Sequence, residues 1–326
     1  MLSFLGVDVS KAKLDVALLL EGDKFKSKVF ANDLRGFEAL RQWLKAHLPG
    51  GLHGLHICME STGSYHEALA CALHDQGLWV CVVNPLLVKR FAQANRLRNK
   101  TDAGDAKCLA LFCKQQEPER WQAPTLAVRT LQALVVRLQT LQTMRQAECN
   151  RQDVAHSSVA DSITQVIADL DAAVDRVKAQ IASTIDDDPD LKRRAALLDT
   201  IPGLGDKTIA QLLAYIGQPT RFKSVKAVIA YAGLTPMIQQ SGTSLDKHRG
   251  LHPMGHQELR RALYFPAMVA GRHNPVIARF WDKLHKQGKP GKVIVVACMH
   301  KLLAIAYGVL RSGQPFNPDH LKPKIA

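Results

Sequence analysis

Residues 3–30 read SFLGVDVSKAKLDVALLLEGDKFKSKVF, and this stretch decides the fold of the first part of the chain. Three strand-like apolar runs lie within it, at Phe4–Val9, Leu14–Leu20 and Lys26–Phe30. The segments between these runs are too short for helical crossovers, so the runs predict antiparallel pairing. Two later runs, Leu55–Met59 and Leu78–Val83, alternate with helical patterns, and this order predicts parallel pairing.

Residues 1–117 are therefore predicted to form an α/β domain. Helical patterns lie at Leu34–Leu48, Tyr65–Gln76 and Asp102–Lys114. An antiparallel meander that runs into a βαβ unit is the strand order of a ribonuclease H-like fold, and we expect that fold here.

Residues 118–188 carry a narrow apolar stripe with heptad spacing. Its members are Leu131, Leu134, Leu138 and Leu141, then Ile163, Ile167, Leu170, Val174, Val177 and Ile181. The stripe is interrupted near His156–Ser158, so it predicts two long helices in an antiparallel hairpin or an oligomeric coiled coil. Packing of a single helix on its own domain is the alternative. Asp186–Pro189 is predicted to be a linker.

Residues 189–326 are predicted to be all helical. The helical patterns lie at Leu191–Thr200, Lys207–Ile216, Val225–Ala232, His256–Ala270, Pro275–Gln287 and Lys292–Arg311. The turn between the first two has the sequence IPGLGDKT. Glycines there allow a phosphate to approach the backbone, and the amides that open the next helix point at it. Gly203, Gly205, Lys207 and Thr208 thus form a candidate helix-hairpin-helix that clamps a DNA backbone, with a plain αα-hairpin as the alternative.

The chain is strongly basic, with 43 Lys and Arg against 29 Asp and Glu and a formal net charge of +14. This balance favours nucleic acid as a partner. Apolar runs such as Val293–Cys298 are too short to span a membrane, and no signal peptide is expected, so we expect a cytoplasmic protein. The 7 cysteines contain no Cys-x-x-Cys pair and predict neither a disulfide framework nor a zinc site.

Four acidic residues lie where the predicted buried elements begin or end. Asp8 lies in the first strand-like run, Glu60 follows the fourth, and Asp102 and Asp105 share one face of a helix. Convergent carboxylates can hold divalent ions against the attacking and leaving oxygens of a phosphodiester, so the set predicts a Mg²⁺ site. The alternatives are that Asp102 caps its helix and that Asp8 bonds loop amides. Asp15 also lies in an apolar run and is left outside the set.

A polar loop at Gln239–Ser244 precedes Lys247 and Arg249. It could present a serine hydroxyl to a phosphate, although a serine needs a base or a metal to activate it, and an ordinary loop is the alternative. Three histidines at intervals of four follow, His248, His252 and His256. Glycines and a proline between them break any helix that would align them, so we expect contact with phosphate or water rather than a metal.

Two basic clusters flank these candidate sites. The first contains Lys89, Arg90, Arg96, Arg98 and Lys100, and the second begins with Arg260 and Arg261. Such residues offset the repulsion between an acidic pocket and a phosphate backbone. Solvated surface charge is the alternative.

Short motifs occur in order along nearly the whole chain. They are GVDVSK at Gly6–Lys11, MESTG at Met59–Gly63, Asn84-Pro85, RNKTD at Arg98–Asp102 with Asp105-Ala106, the turn at Ile201–Thr208, AGLTP at Ala232–Pro236, and Ser241-Gly242. Together they resemble the DEDD transposases of the insertion-sequence-110 family, relatives of the Piv/MooV DNA invertases. The resemblance implies a RuvC-like domain with a Mg²⁺-binding tetrad, matched by Asp8, Glu60, Asp102 and Asp105. It also implies a serine nucleophile, matched by Ser241, and a coiled coil that helps form dimers and tetramers.

Members of that family are recombinases guided by a bridge RNA that pairs with donor and target DNA. The resemblance therefore implies an RNA-guided, Mg²⁺-dependent serine transposase of the bacterial cytoplasm and nucleoid, with RNA and DNA but no membrane as partners. Ser241 would become a covalent phosphoserine, and Thr243 and Ser244 are the neighbouring hydroxyls. Three rivals stay open: a site-specific DNA invertase, a Holliday-junction nuclease that uses water, and an RNA/DNA-binding protein with an inactive RuvC-like fold.

Overall fold

The computed structural model describes residues 2–61, 65–95, 101–241, 245–251 and 255–321, with residues 238–241, 245–249 and 320–321 described by their backbone. The chain divides into two compact units, Met1–Ala123 and Pro124–Ala326. The predicted boundary after residue 117 lies close to this division. The helices before and after residue 188 share one hydrophobic core.

The first unit contains a five-stranded mixed sheet in the order β3-β2-β1-β4-β5. Its strands are β1 (Ser3–Val9), β2 (Lys13–Leu19), β3 (Phe25–Ala31), β4 (Leu55–Glu60) and β5 (Trp79–Val83). The β1–β2 and β2–β3 pairs are antiparallel, whereas β1–β4 and β4–β5 are parallel. The predicted ribonuclease H-like order is therefore confirmed.

Helices cover both faces of this sheet. They are α1 (Leu34–His47), α2 (Glu67–Asp75), α3 (Pro85–Ala94) and α4 (Asp102–Gln116). Because side chains alternate along a strand, Leu5 and Val7 of β1 pack into the core with α1 and α2. Cys58 and Cys81 face the opposite way, into the core with α3 and α4. Gly6 lies on this second face, under α4.

Helix α3 was not expected from the sequence, although its start carries a recognisable signal. The side chain of Asn84 accepts a hydrogen bond from the Leu86 N–H (2.8 Å), and Pro85 occupies the first helical position. Both are favoured at helix starts, Asn as a cap and Pro because its missing N–H costs no intrahelical bond there.

The second unit is mostly helical. Its helices are α5 (Leu126–Gln152), α6 (Ser157–Asp187), α7 (Pro189–Asp199), α8 (Asp206–Ile216), α9 (Val225–Tyr231), α10 (Gln257–Ala262), α11 (Tyr264–His273), α12 (Pro275–Lys286) and α13 (Gly291–Ser312). The exception is an antiparallel hairpin of β6 (Pro236–Ser241) and β7 (Leu245–Leu251), which the all-helical prediction missed. The hairpin's polar sequence lacks the apolar alternation that reveals a half-buried strand.

The heptad stripe lies between α5 and α6, which pack against each other as a helical hairpin. Leu131, Leu138, Val174 and Ile181 are buried in the core that these helices share with the rest of the unit. The break predicted near His156 is confirmed. The linker predicted at Asp186–Pro189 is not observed, because Asp188 ends α6 and its side chain also caps α7.

One further helix boundary differs from the prediction. The helix predicted at His256–Ala270 is divided at Leu263, because Pro266 cannot continue the preceding helix: its ring would clash with the Ala262 carbonyl.

Helix α13 is long and apolar enough to cross a membrane by length and composition. More than half of its most apolar stretch is buried inside the unit (56%), as is usual for the central helix of a core.

His256 has a structural position at the start of α10. Its ring Nδ1 accepts a hydrogen bond from the Leu259 N–H (3.2 Å), and its backbone N–H donates to the Tyr231 carbonyl (2.6 Å). The ring lies 4.4 Å from the ring of Tyr215, and burial lowers the pKa of the imidazole. These contacts explain His256 without a phosphate, whereas His248 is described by its backbone and His252 lies outside the described residues.

The contact of α4 with β1 predicts a steric effect at Gly6. A Cβ at this position would lie 1.9 Å from the Ala106 carbonyl oxygen and 2.5 Å from the Ala110 nitrogen. Both are backbone atoms, so α4 would have to move away from the sheet. We expect Gly6→Ala to lower the free energy of unfolding by about 1–3 kcal/mol in urea titrations.

Gly50→Ala is the matched control, because a Cβ at Gly50 would meet none of the described atoms within 4 Å. Wild-type stability of Gly6→Ala would contradict a backbone contact this close between α4 and β1.

Candidate active site

An acidic group lies where β1, β2 and the start of α4 meet. One carboxylate oxygen from each of Asp8, Asp15 and Asp102 lies within 4.8 Å of the others. Asp8 and Asp15 are direct partners across the antiparallel β1–β2 pair, so both side chains point to the face covered by α4. Asp15, which the sequence interpretation left outside the set, therefore belongs to this group.

Glu60 and Asp105 approach the same group. The parallel β1–β4 register pairs Val7 with Met59, so the next residues, Asp8 and Glu60, are level on the face covered by α4. Asp105 lies in the first turn of α4, three residues after Asp102. The charges of Glu60 and Asp105 act on Asp8 and raise the pKa of its carboxyl. All four predicted acidic residues thus lie at one edge of the sheet.

Thr101 caps α4, so Asp102 is not needed as the cap. The Thr101 hydroxyl oxygen accepts a hydrogen bond from the Gly104 N–H (3.1 Å). Asp102 and Asp105 follow in the first turn, where the helix dipole favours negative charge. The capping alternative for Asp102 is therefore wrong, and its carboxylate is available to the acidic group.

Asp8 lies half-buried among several other carboxylates. Burial, followed by the neighbouring carboxylates, raises the pKa of Asp8 to about 6. Like charges at short range disfavour ionisation unless a cation shares the site. The carboxylates in order of their effect on Asp8 are Asp105, Glu60, Asp102 and Asp15.

Lys13 is a functional candidate that the sequence interpretation missed. Its ammonium nitrogen lies 2.7 Å from Asp102 and 3.0 Å from Asp15. The bond to Lys13 lowers the pKa of Asp102, while both carboxylates raise the pKa of Lys13. Sequence spacing could have identified Lys13, because Lys13 and Asp15 are two residues apart and share a strand face.

The donor set fits a divalent cation. Carboxylate oxygens are the ligands that Mg²⁺ and similar hard cations prefer, and several converge here. Burial and, after it, the neighbouring carboxylates raise the pKa of Asp8, and a bound cation would oppose both effects. Asp8, Glu60, Asp102 and Asp105 are the candidate ligands, with Asp15 beside them.

The predicted nucleophile belongs to the second unit. Ser241 is the last residue of β6 and pairs with Leu245 at the tip of the hairpin. Gly255, which follows the hairpin, lies close to Gly233, which precedes it: a Cβ at Gly255 would lie 2.3 Å from the Gly233 backbone. Ser241, Lys247 and Arg249 are described by their backbone, and Thr243 and Ser244 lie outside the described residues. The role of Ser241 stays a prediction.

The predicted helix-hairpin-helix turn joins α7 to α8, as expected. Gly203 has a left-handed φ of 102°, and a Cβ there would lie 2.6 Å from the Ala270 Cβ. The glycine is thus required by the packing of the turn on α11. Gly205 and Lys207 are exposed, whereas Thr208 is buried (7% exposed).

The predicted basic residues differ in their surroundings. Arg260 is half-buried and donates to the Gly233 carbonyl (3.3 Å), whereas Arg261 is exposed and pairs with Glu258 (3.0 Å). Lys89 and Arg90 lie exposed on α3. Arg96, Arg98 and Lys100 lie outside the described residues. Phosphate contact by these side chains stays a prediction.

Comparison with known proteins gives two matches to transposase families. Residues 5–155 match the DEDD transposase family of IS110, and residues 195–282 match the transposase family of IS116, IS110 and IS902. The first match includes the acidic edge of the sheet, and the second includes both the turn before α8 and the β6–β7 hairpin.

Similar proteins are found in several bacteria. Pilin gene-inverting proteins of Moraxella bovis and Moraxella lacunata are each 34% identical over 97% of this chain and 98% of their own length. An uncharacterised protein of insertion element IS110 from Streptomyces coelicolor is 27% identical over 60% of this chain and 45% of its own length. The RuvC structure of Thermus thermophilus aligns with 36% of this chain and 99% of its own, at 15% identity and a TM-score of 0.26.

The family matches together span both units, and the Moraxella proteins are similar from end to end. The chain therefore belongs to the IS110 family of transposases and is a DNA-recombining enzyme.

Proposed function

We propose that the chain is an RNA-guided, Mg²⁺-dependent transposase that cuts and rejoins DNA through a covalent serine–DNA intermediate. The observation that carries the proposal is the acidic edge of the sheet, where Asp8, Asp15 and Asp102 converge in a chain of this family. Isolated acidic residues are common on protein surfaces, but Asp8 is half-buried and Asp15 is buried. Holding these carboxylates together costs free energy that a bound cation offsets.

In the proposed reaction, Ser241 Oγ attacks a DNA phosphorus. A new O–P bond forms while one P–O bond of the strand breaks, and the proton lost by Oγ goes to the leaving oxygen. The number of phosphodiester-type bonds is unchanged, so the strand can be rejoined without another energy source. A bound divalent ion supplies Lewis acidity toward the phosphate, and Asp8, Glu60, Asp102 and Asp105 would hold it. Before the ion binds, Lys13 would keep Asp102 and Asp15 in place.

Guide RNA is proposed as the source of sequence selection. The net charge of +14 supports binding to polyanions, and phosphate contacts of this kind carry no sequence information themselves. An RNA that pairs with donor and target DNA would supply it, while the protein recognises backbone and duplex shape.

We also propose that the chain acts as a dimer that forms a tetramer on DNA. Ile163 and Ile167, in the far half of the heptad stripe, are only half-buried, and Val159 and Val166 are exposed. An apolar stripe left partly open supports a contact with a second copy. Light scattering with and without nucleic acid tests this, and a monomer under both conditions would contradict it.

A site-specific invertase is the second candidate function. The observation that favours it is the end-to-end similarity to the pilin gene-inverting proteins. Inversion and transposition require the same strand chemistry, so they differ in which DNA ends are joined. Sequencing of the recombinant junctions distinguishes an inverted segment from an excised or inserted one.

The nucleophile is tested by trapping the reaction on nicked DNA and mapping the protein–DNA adduct by mass spectrometry. We expect an adduct on Ser241 that requires a divalent ion, and a loss of recombination of at least about 1,000-fold in Ser241→Ala. Asp8→Asn should abolish both the adduct and the heat of Mn²⁺ binding measured by calorimetry. Ser241→Ala should keep that heat.

Ser244→Ala is the matched control, because it removes a neighbouring hydroxyl and should leave the adduct in place. Recombination that persists in Ser241→Ala, or an adduct on Thr243 or Ser244, would contradict the assignment. A water-dependent nuclease would cut DNA without any adduct.

The guiding role of RNA is tested by exchanging the pairing segments of the transcript from the element's non-coding end. We expect the cut sites to move to DNA that matches the new segments, because the protein's own contacts are to backbone and shape. The measurement is sequencing of the cut ends. Unchanged sites would assign the sequence choice to the protein and favour the invertase.

A further inference from the structure

A groove of about 650 Å³ lies in the second unit between α5, α8 and the α10–α11 pair. Five carboxamide side chains line it: Gln139, Gln142, Gln146 and Asn150 of α5 and Gln211 of α8. We propose that this groove binds an unpaired adenine nucleotide of a nucleic-acid strand. The proposal rests on the nucleic-acid function proposed above and adds to it a site and a base.

The carboxamides have the geometry of a base-reading surface. Residues three and four apart lie on one face of a helix, so the α5 amides follow each other along the groove. Gln146 Nε2 donates to Asn150 Oδ1 (2.9 Å), and Gln142 Oε1 accepts from Lys207 Nζ (2.7 Å). These bonds use one polar atom of each amide, and a carboxamide has both a donor and an acceptor. The carboxamides of Asn and Gln pair with adenine through both groups: the oxygen accepts from N6, and the nitrogen donates to N7.

Cations lie beside the amides where a phosphate would pass. Lys207 is exposed in the first turn of α8, and Arg261 is exposed on α10. Glu258, which also lines the groove, pairs with Arg261 and accepts a hydrogen bond from Gln139. Among the described residues that line the groove, two cations thus face one acidic residue, and this balance suits a nucleotide better than an acidic peptide.

An aromatic ring lines the same groove. Phe265 of α11 is 73% exposed, although an aromatic side chain of this size is usually buried. Exposed rings of this kind are the platforms on which unpaired bases stack. A base inside a duplex is already stacked between its neighbours, so the combination of ring and amides suits a single strand or an extruded nucleotide.

The test measures binding of the full chain to short fluorescent homopolymers by anisotropy at fixed salt. Oligoadenylate should bind about 5-fold or more tightly than oligothymidylate or oligouridylate of the same length. Ribo- and deoxyribo-oligoadenylate are compared in separate arms, and the tighter one identifies the strand as guide RNA or as DNA. Equal binding of all bases would overturn the proposal.

Two variants test the groove itself. The double variant Gln146→Ala with Asn150→Ala removes two reading amides, and Phe265→Ala removes the ring. Each should weaken oligoadenylate binding by roughly 5- to 100-fold and bring it close to the other homopolymers. All three side chains are exposed, so the thermal unfolding curve should stay that of the wild type. Gln180→Ala is the matched control, since Gln180 is an exposed amide of α6 outside the groove and its loss should leave binding unchanged.

The outcomes separate this proposal from the one on which it rests. Wild-type adenine preference in both variants would overturn the groove site while leaving the Ser241 adduct and recombination untouched. Variants that change the oligomeric state but not nucleotide binding would show that the groove holds protein, which also overturns it. Absence of any nucleic-acid binding by the wild-type chain would contradict the proposed function itself.

Discussion

The backbone contact between α4 and β1 is the constraint on which the acidic site depends. Helices usually rest on a sheet through side chains, but at Gly6 the strand has none, and the Ala106 carbonyl comes to the strand itself. The first turn of α4, with Asp102 and Asp105, is thereby brought to the edge where Asp8 lies. The site is therefore built by packing as much as by its charged residues.

The second constraint is charge. Five carboxylates gather at one edge of the five-stranded sheet, in a chain that is strongly basic as a whole. Lys13 pairs with two of them, while burial and, after it, the neighbouring carboxylates raise the pKa of Asp8. A lysine is a mobile, monovalent point charge, whereas a divalent ion can bind several carboxylates at once. The arrangement suits a divalent cation that enters the site already bound to a phosphate group, or that a phosphate group holds there.

The second unit uses close backbone packing in the same way. Gly203 allows the turn before α8 to rest on Ala270 of α11, and Gly255, after the β6–β7 hairpin, lies close to Gly233, before it. Ala270 and Leu234, the neighbour of Gly233, both belong to the hydrophobic core of this unit. The amide groove lies beside the same turn, since Lys207 belongs to both. The second unit thus contains the turn that is a candidate contact for the DNA backbone, the groove proposed to bind a base, and the candidate nucleophile.

Much of the fold followed from local patterns in the sequence. The spacing of the apolar runs determined the strand order, and the heptad stripe determined the two long helices, because both patterns state which faces must be buried. The chemical types at Asp8, Glu60, Asp102 and Asp105 were also sufficient to suggest a cation site. The strands β6 and β7 escaped because their polar sequences lack apolar alternation. Helix α3 was also missed, although Asn84 and Pro85 mark its start.

The membership of the site was decided only by the tertiary structure. Asp15 joins Asp8 because β2 pairs with β1 in one particular register, and a slip of one residue would turn Asp15 to the other face of the sheet. Lys13 reaches Asp102 across 89 residues of sequence, a distance that no local pattern encodes. The sequence by itself determined which residues could act and which faces they needed. Strand register and helix packing decided which of them meet, because those depend on contacts between segments far apart in the chain.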